Sequence, residues 1–94
     1  MNKSEMARQL AAKSGLTQAQ AGDVLENIFN PVFGLIADGL DAGDKVTIGG
    51  FGTFEARNRG ARTGRNPRTG ETITIAARRY PAFKAAKGLK DRIS

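Results

Sequence analysis

The sequence predicts an α+β chain: a helical first half, a small antiparallel sheet carrying a long β-ribbon arm, and a short C-terminal helix. Three observations carry this expectation. Residues 1–43 hold two helix-start signatures and an apolar repeat of helical period. From Lys45 onward the apolar residues alternate instead. Between Arg57 and Arg79 lie seven arginines against one acid, Glu71, with the turn formers Gly64-Arg65-Asn66-Pro67-Arg68-Thr69-Gly70 at the centre.

The first helix is expected to start at Asn2-Lys3-Ser4-Glu5, a capping box, and to bury Met6, Leu10 and Ala11. Gly15 suits the left-handed position that ends a helix, with Leu16 closing on the last turn. Thr17-Gln18-Ala19-Gln20 is a second capping box, so the two helices form a hairpin. The second helix carries Ala21, Val24, Leu25, Ile28, Phe29, Val32, Phe33, Ile36 and Leu40, a stripe wider than one small helix uses. Such a stripe can serve a core on one side and a second subunit on the other, which predicts a dimer. Pro31 falls inside it, removing an amide donor and clashing with the preceding turn. Because the periodicity stays in phase from Ile28 to Val32 to Ile36, a kink is expected there rather than a break.

Asp41 to Asp44 ends the helical region. Lys45 to Ile48 reads as a short strand, Gly49-Gly50 as a bend, and Phe51 to Arg59 as the start of the sheet that extends into the arm. On the return limb Ile73, Ile75 and Ala77 face one way and Thr72, Thr74 and Arg78 the other. Pro81 holds Tyr80 extended, so the final helix is expected after it. Phe83, Ala86, Leu89 and Ile93 would be its buried face, and Lys84, Lys87 and Lys90 a basic row. The chain is one domain, residues 1–94: a helical dimerisation region over 1–43, a sheet over 44–82 with the arm at 57–79, and a helix over 83–94.

Charge is divided unevenly along the chain. The first 50 residues carry four basic and six acidic side chains, and the remaining 44 carry eleven and three. A mildly acidic scaffold joined to a strongly basic surface suits a polyanion, either nucleic acid or an anionic membrane. The membrane reading is the weaker, because the basic element is a ribbon and not an amphipathic helix. The N-terminus has no apolar signal region and no run of apolar residues is long enough to span a bilayer, so a soluble, intracellular protein is expected.

Catalytic chemistry finds no support. There is no histidine and no cysteine, which removes the commonest general base and the commonest metal ligands. Asp38, Asp41 and Asp44 lack the glycine and terminal glutamate of a calcium loop, and Gly49-Gly50-Phe51-Gly52 is not followed by the Gly-Lys-Ser/Thr of a phosphate loop. No enzyme activity, metal, cofactor or small-molecule ligand is expected. The arm does suit phosphate: guanidinium forks pair with phosphate oxygens and enter narrow, negative grooves at low dehydration cost. From its residue type alone, the proline at the tip serves equally as a turn former or as an apolar wedge.

Gly50-Phe51-Gly52-Thr53-Phe54, then Arg59, then Arg62 through Gly70, closely resembles the signature of the bacterial histone-like HU and integration host factor family. The opening Met1 to Glu5, Pro81 to Ala85 and Lys87 to Asp91 resemble it too, so the similarity spans the whole chain. Proteins of that family bind the minor groove and insert apolar wedges between base steps. The resemblance implies an intertwined dimer with a helical base, whose two arms embrace double-stranded DNA and bend it with little sequence preference, compacting the cytoplasmic nucleoid. Bent, nicked or junction DNA would be preferred, and a paralogue could replace one subunit. It implies that Pro67 is the intercalating tip. Arg65, Asn66, Arg68 and Thr69 would be groove and backbone contacts, and Arg57, Arg59, Arg62, Arg78 and Arg79 would line the arm. Lys84 and Lys87 would hold flanking phosphates, with Phe51, Phe54 and Phe83 as the aromatic core under the sheet. An integration-host-factor-like protein with a preferred site is the alternative. From Leu16 to Phe51 the chain is about one helical turn longer than the resemblance implies.

Overall fold

The computed structural model describes residues 1–94, which form two compact units, Met1–Ala42 and Gly43–Ser94. In the first, α1 (Lys3–Ser14) and α2 (Gln18–Phe29) pack as a helical hairpin, followed by α3 (Leu35–Asp41). The Asn2 side chain accepts from the Glu5 amide at 2.9 Å, and Gly15 ends α1 in the left-handed conformation at φ 68°. The Leu16 amide then reaches back to the Ala11 carbonyl at 3.2 Å, closing the last turn. At α2 both halves of the capping box form: the Gln20 amide donates to Thr17 Oγ1 at 3.1 Å, and the Thr17 amide to Gln20 Oε1 at 2.9 Å.

The helix breaks at Pro31 and does not kink, contrary to the sequence expectation. α2 stops at Phe29, residues 30–34 form a turn, and α3 begins at Leu35. In-phase periodicity reports only which residues are apolar; it says nothing of local competition for amides. Here Asn30 wins that competition, its side-chain oxygen accepting from the amides of Val32 at 2.8 Å and Phe33 at 3.1 Å. The Asn30 amide nitrogen in turn donates to Glu26 at 2.9 Å. Gly34 completes the turn by close approach, since a Cβ on it would lie 2.6 Å from the Asn30 carbonyl oxygen.

In the second unit β1 (Val46–Ile48), β2 (Gly52–Arg59) and β5 (Arg78–Ala85) form an antiparallel sheet in the order β1-β2-β5. β3 (Arg62–Arg65) and β4 (Thr72–Ile75) pair as a separate two-stranded ribbon. The C-terminal helix, α4 (Lys87–Ile93), starts later than residue 83, and Phe83 and Lys84 lie in β5. Pro81 does not end the strand because β5 is an edge strand, where a proline need not cost a ladder bond. Phe83 and Phe54 sit directly opposite with ring centroids 4.8 Å apart, and Phe51 is 5.7 Å from Phe83. Gly52 makes this possible: a Cβ there would lie 2.5 Å from the Phe83 ring. Ala86 donates its amide to Phe51 at 2.9 Å, and Gly88 abuts the Gly50 carbonyl, so α4 is anchored on the β1–β2 turn. Lys84 therefore does not share a helical row with Lys87 and Lys90.

Only Ala7, Ala21 and Leu25 are buried apolar residues, and two of the three are alanine. Val24, Phe29, Val32, Phe33 and Leu35 of the helical unit are exposed. The wide stripe thus divides: Ala21 and Leu25 face α1, Ile28, Ile36 and Leu40 are half-buried, and Val24, Phe29, Val32 and Phe33 remain exposed.

Gly34→Ala forces the new methyl into backbone and should destabilise the fold by roughly 1 to 3 kcal/mol. Gly22→Ala, within α2 with nothing in the way of a Cβ, should stabilise by about 0.5 to 1 kcal/mol. Denaturant melts of the two variants check the opposite signs.

Candidate nucleic-acid interface

The ribbon grows out of the sheet in a single register. Gly52 lies opposite Ala85, Arg59 opposite Arg78, Arg62 opposite Ile75 and Arg65 opposite Thr72. Each step forward on one strand is a step back on the other, so no residue is gained or lost between the two ladders. The ladder nevertheless lapses at Gly60-Ala61 on one side and Ala76-Ala77 on the other. These four carry almost no side chain, so the cross-strand pairs that stabilise a ribbon are missing there. The single arm expected over 57–79 is therefore a root, formed by the ends of β2 and β5, and a distal hairpin, β3–β4.

Alternation assigns the faces within each ladder. At the root Arg57, Arg59, Arg78 and Tyr80 share a face with Lys84, while Arg79 shares the opposite face with Asn58. In the distal hairpin Arg65 lies with Thr63, Thr72 and Thr74. Arg62 lies on the other face with Ile73 and Ile75, whose side chains pack against Gly64.

The tip is a closed loop. The Asn66 amide donates to the Glu71 carbonyl and the Gly70 amide to the Asn66 carbonyl, both at 2.8 Å. Asn66 Oδ1 accepts from the Arg68 amide at 2.9 Å, and Thr69 Oγ1 from the Glu71 amide at 3.3 Å. Gly70 takes the positive φ, 73°, that the loop demands. Asn66 and Thr69, expected as external contacts, thus also build the loop from within. Pro67 and Arg68 are left exposed at the apex.

Two residues of the site, Glu55 and Tyr80, were not expected from the sequence. Glu55 pairs with Arg57 Nε at 2.8 Å and with Lys45 at 3.6 Å. The hydrogen bond from Arg57 and the nearby Lys45 charge hold the Glu55 carboxyl below its ordinary range, and the same bond raises the Arg57 guanidinium. Arg57 is therefore already partnered, unlike a side chain kept solely for an external ligand. Tyr80, which the sequence marked only as the end of a limb, lies opposite Arg57, and its ring sits 5.4 Å from the Arg59 guanidinium. Counting outward from the turn centre would have found it. Lys87, on α4, pairs with Asp91 at 3.2 Å on the surface, an interaction of small energy.

No helix is long and apolar enough to cross a membrane. Residues 1–94 match the family model described as bacterial DNA-binding protein. The chain is 50% identical over 93 residues to DNA-binding protein HU-1 of Halalkalibacterium halodurans, covering 99% of each. It is 48% identical over 94 residues to DNA-binding protein HU-beta of Serratia marcescens, covering all of both. Among solved structures, an Anabaena HU–DNA cocrystal matches with a TM-score of 0.84 at 42% identity, covering 100% of this chain and 98% of that one.

The depressed Glu55 carboxyl contributes stability that is present above pH 4.5, its ordinary value, and lost as pH falls through its lower folded value. The stability difference between wild type and Glu55→Gln should accordingly be constant from about pH 7 down to about pH 5 and shrink below that. Urea melts across this range check it; a difference that persists unchanged into acid counts against the pairing.

Proposed function

This chain belongs to the bacterial DNA-binding protein family that includes the HU proteins, and on that footing we propose that it is a non-catalytic architectural protein that binds and bends double-stranded DNA with little sequence preference. It acts in the cytoplasmic nucleoid as a dimer, each subunit laying one arm along the minor groove. The observation that carries this reading is the ribbon itself: one uninterrupted register that displays arginines from root to tip and ends in an exposed proline. The similarity to the Anabaena HU–DNA cocrystal supports it.

The proposed contacts divide by position. Arg59, Arg62, Arg65, Arg68, Arg78 and Arg79 supply charge along the ribbon, with Arg57 joining when it leaves Glu55. Lys84 and Lys87 hold flanking phosphates beside the sheet. Asn66 and Thr69 shape the tip while presenting it, and Pro67 enters between base steps as an apolar wedge. Bent, nicked or junction DNA binds best, because part of the deformation energy is already spent there.

Dimerisation is supported by the uncovered apolar surface of the helical unit. The chain exposes 7432 Å², against about 5,200 Å² expected of a folded monomer of its mass. Phe29, Val32, Phe33 and Leu35 contribute to that excess, and large apolar side chains left exposed in this number favour an association site.

Counterion release dominates affinity in this account, with a slope of about −0.9 per neutralised phosphate. Six to ten contacts would lower affinity by roughly 10³ to 10⁵ between about 50 and 200 mM salt. Titration of mixed-sequence duplex against salt tests this, and a flat response overturns the proposed function.

A further inference from the structure

At the arm root four side chains, Arg59, Arg78, Arg79 and Tyr80, line a cavity of about 310 Å³. Arg59, Arg78 and Tyr80 share one face of the ladder, so two guanidinium groups stand there beside an aromatic ring, while Arg79 lies on the opposite face and borders the notch from its own strand. Nothing acidic lines the notch, because Glu55 lies further down the sheet and is engaged by Arg57 and Lys45. Its volume accommodates a phosphate with its ester oxygens.

Arginine side chains are long and lose rotamer freedom when they grip a ligand. An arginine held in place beforehand loses less on binding. The Arg59 guanidinium lies 5.4 Å from the Tyr80 ring centroid, within the range of cation–π attraction. The strand fixes where the ring starts: Tyr80 is paired opposite Arg57 in the β2–β5 ladder. The phenol also lies close enough to Arg57 to favour its charged form.

We propose that Tyr80 is a positioning residue for DNA binding, its ring fixing the Arg59 guanidinium over a phosphate-binding notch at the arm root formed with Arg78. The inference rests on the DNA-bending function proposed above and adds to it a residue that is neutral and touches phosphate only through its neighbour. It places a preorganised contact where the sheet ends and the ribbon begins, on the near side of the lapse at Gly60-Ala61. A phosphate seated there would register the root against the duplex irrespective of how the distal hairpin is disposed.

The test is a double-mutant cycle on the full chain, read by duplex titration at several salt concentrations, with circular dichroism and melting to verify folding. Tyr80→Leu removes the ring's π face and should weaken binding by about 2- to 5-fold, the range of an exposed cation–π contact. Tyr80→Phe retains the ring and should bind as wild type within about 2-fold. Arg59→Ala should weaken binding and reduce the salt slope by about one. In the Arg59→Ala background Tyr80→Leu should have no further effect, because the group it positions is gone. Losses that add in the double variant, or equal losses from Tyr80→Leu and Tyr80→Phe, overturn the role of the ring while leaving the DNA-binding function standing. Absence of salt-dependent binding by the wild-type chain overturns both.

Discussion

One register, running from the pair Gly52 and Ala85 to the pair Arg65 and Thr72, determines where every charge on the arm can be. Because strand side chains alternate, slipping the hairpin by a single residue would exchange its faces. Arg59 would then leave the ring of Tyr80, and Phe83 would leave Phe54. Both ends of the hairpin fix that register chemically. At the sheet, the Phe83 ring fits only across a glycine, Gly52. At the tip, four hydrogen bonds around Asn66 to Glu71 close a loop of one length. Between the two, Gly60, Ala61, Ala76 and Ala77 contribute little, and the register survives the lapse because it is held from either side.

A second constraint is the poverty of the core. Burying a large apolar side chain contributes about 1.5 to 3 kcal/mol, and Val24, Phe29, Val32, Phe33 and Leu35 obtain only part of it within one chain. Covering what those five leave exposed in the proposed dimer would supply on the order of 4 to 9 kcal/mol, comparable to the net stability of a typical domain. Folding and association would then be one event. The break at Pro31 belongs to the same economy of residues: by ending α2 and restarting the helix after Gly34, it presents Val32 and Phe33 on a turn instead of along a single helical stripe.

Much of this was legible in the sequence because local chemistry and the global fold agree there. The Thr17 to Gln20 box, the Gly15 stop, the alternating Ile73 and Ile75 and the turn formers around Pro67 each have one good local solution, and the structure adopts it. The chain departed from expectation where one rule met a second, local at Pro31 and tertiary at Pro81. Periodicity through Ile28, Val32 and Ile36 favoured a continuous helix, but the side chain of Asn30 captured two amides and stopped it. Pro81 reads as a strand terminator, yet on an edge strand packed by Phe83 it is tolerated. At the candidate site the arginines were visible by type alone. Their partners, Glu55 for Arg57 and Tyr80 for Arg59, depend on cross-strand neighbours and emerge only once the register is known.

In the proposed function the arm deforms DNA through its tip and does not merely adhere to it. Inserting Pro67 would cost a few kcal/mol of unstacking, offset only if the bend brought more arginine and lysine onto phosphates. Fluorescence transfer between the two ends of a labelled duplex reads the bend directly, with wild type and Pro67→Ala compared at saturating protein. The account predicts a marked loss of end-to-end transfer in Pro67→Ala, with the fold and most of the salt-dependent affinity retained. An undiminished bend would contradict it, leaving Pro67 as a turn residue and the arms as charged straps on DNA bent by other means.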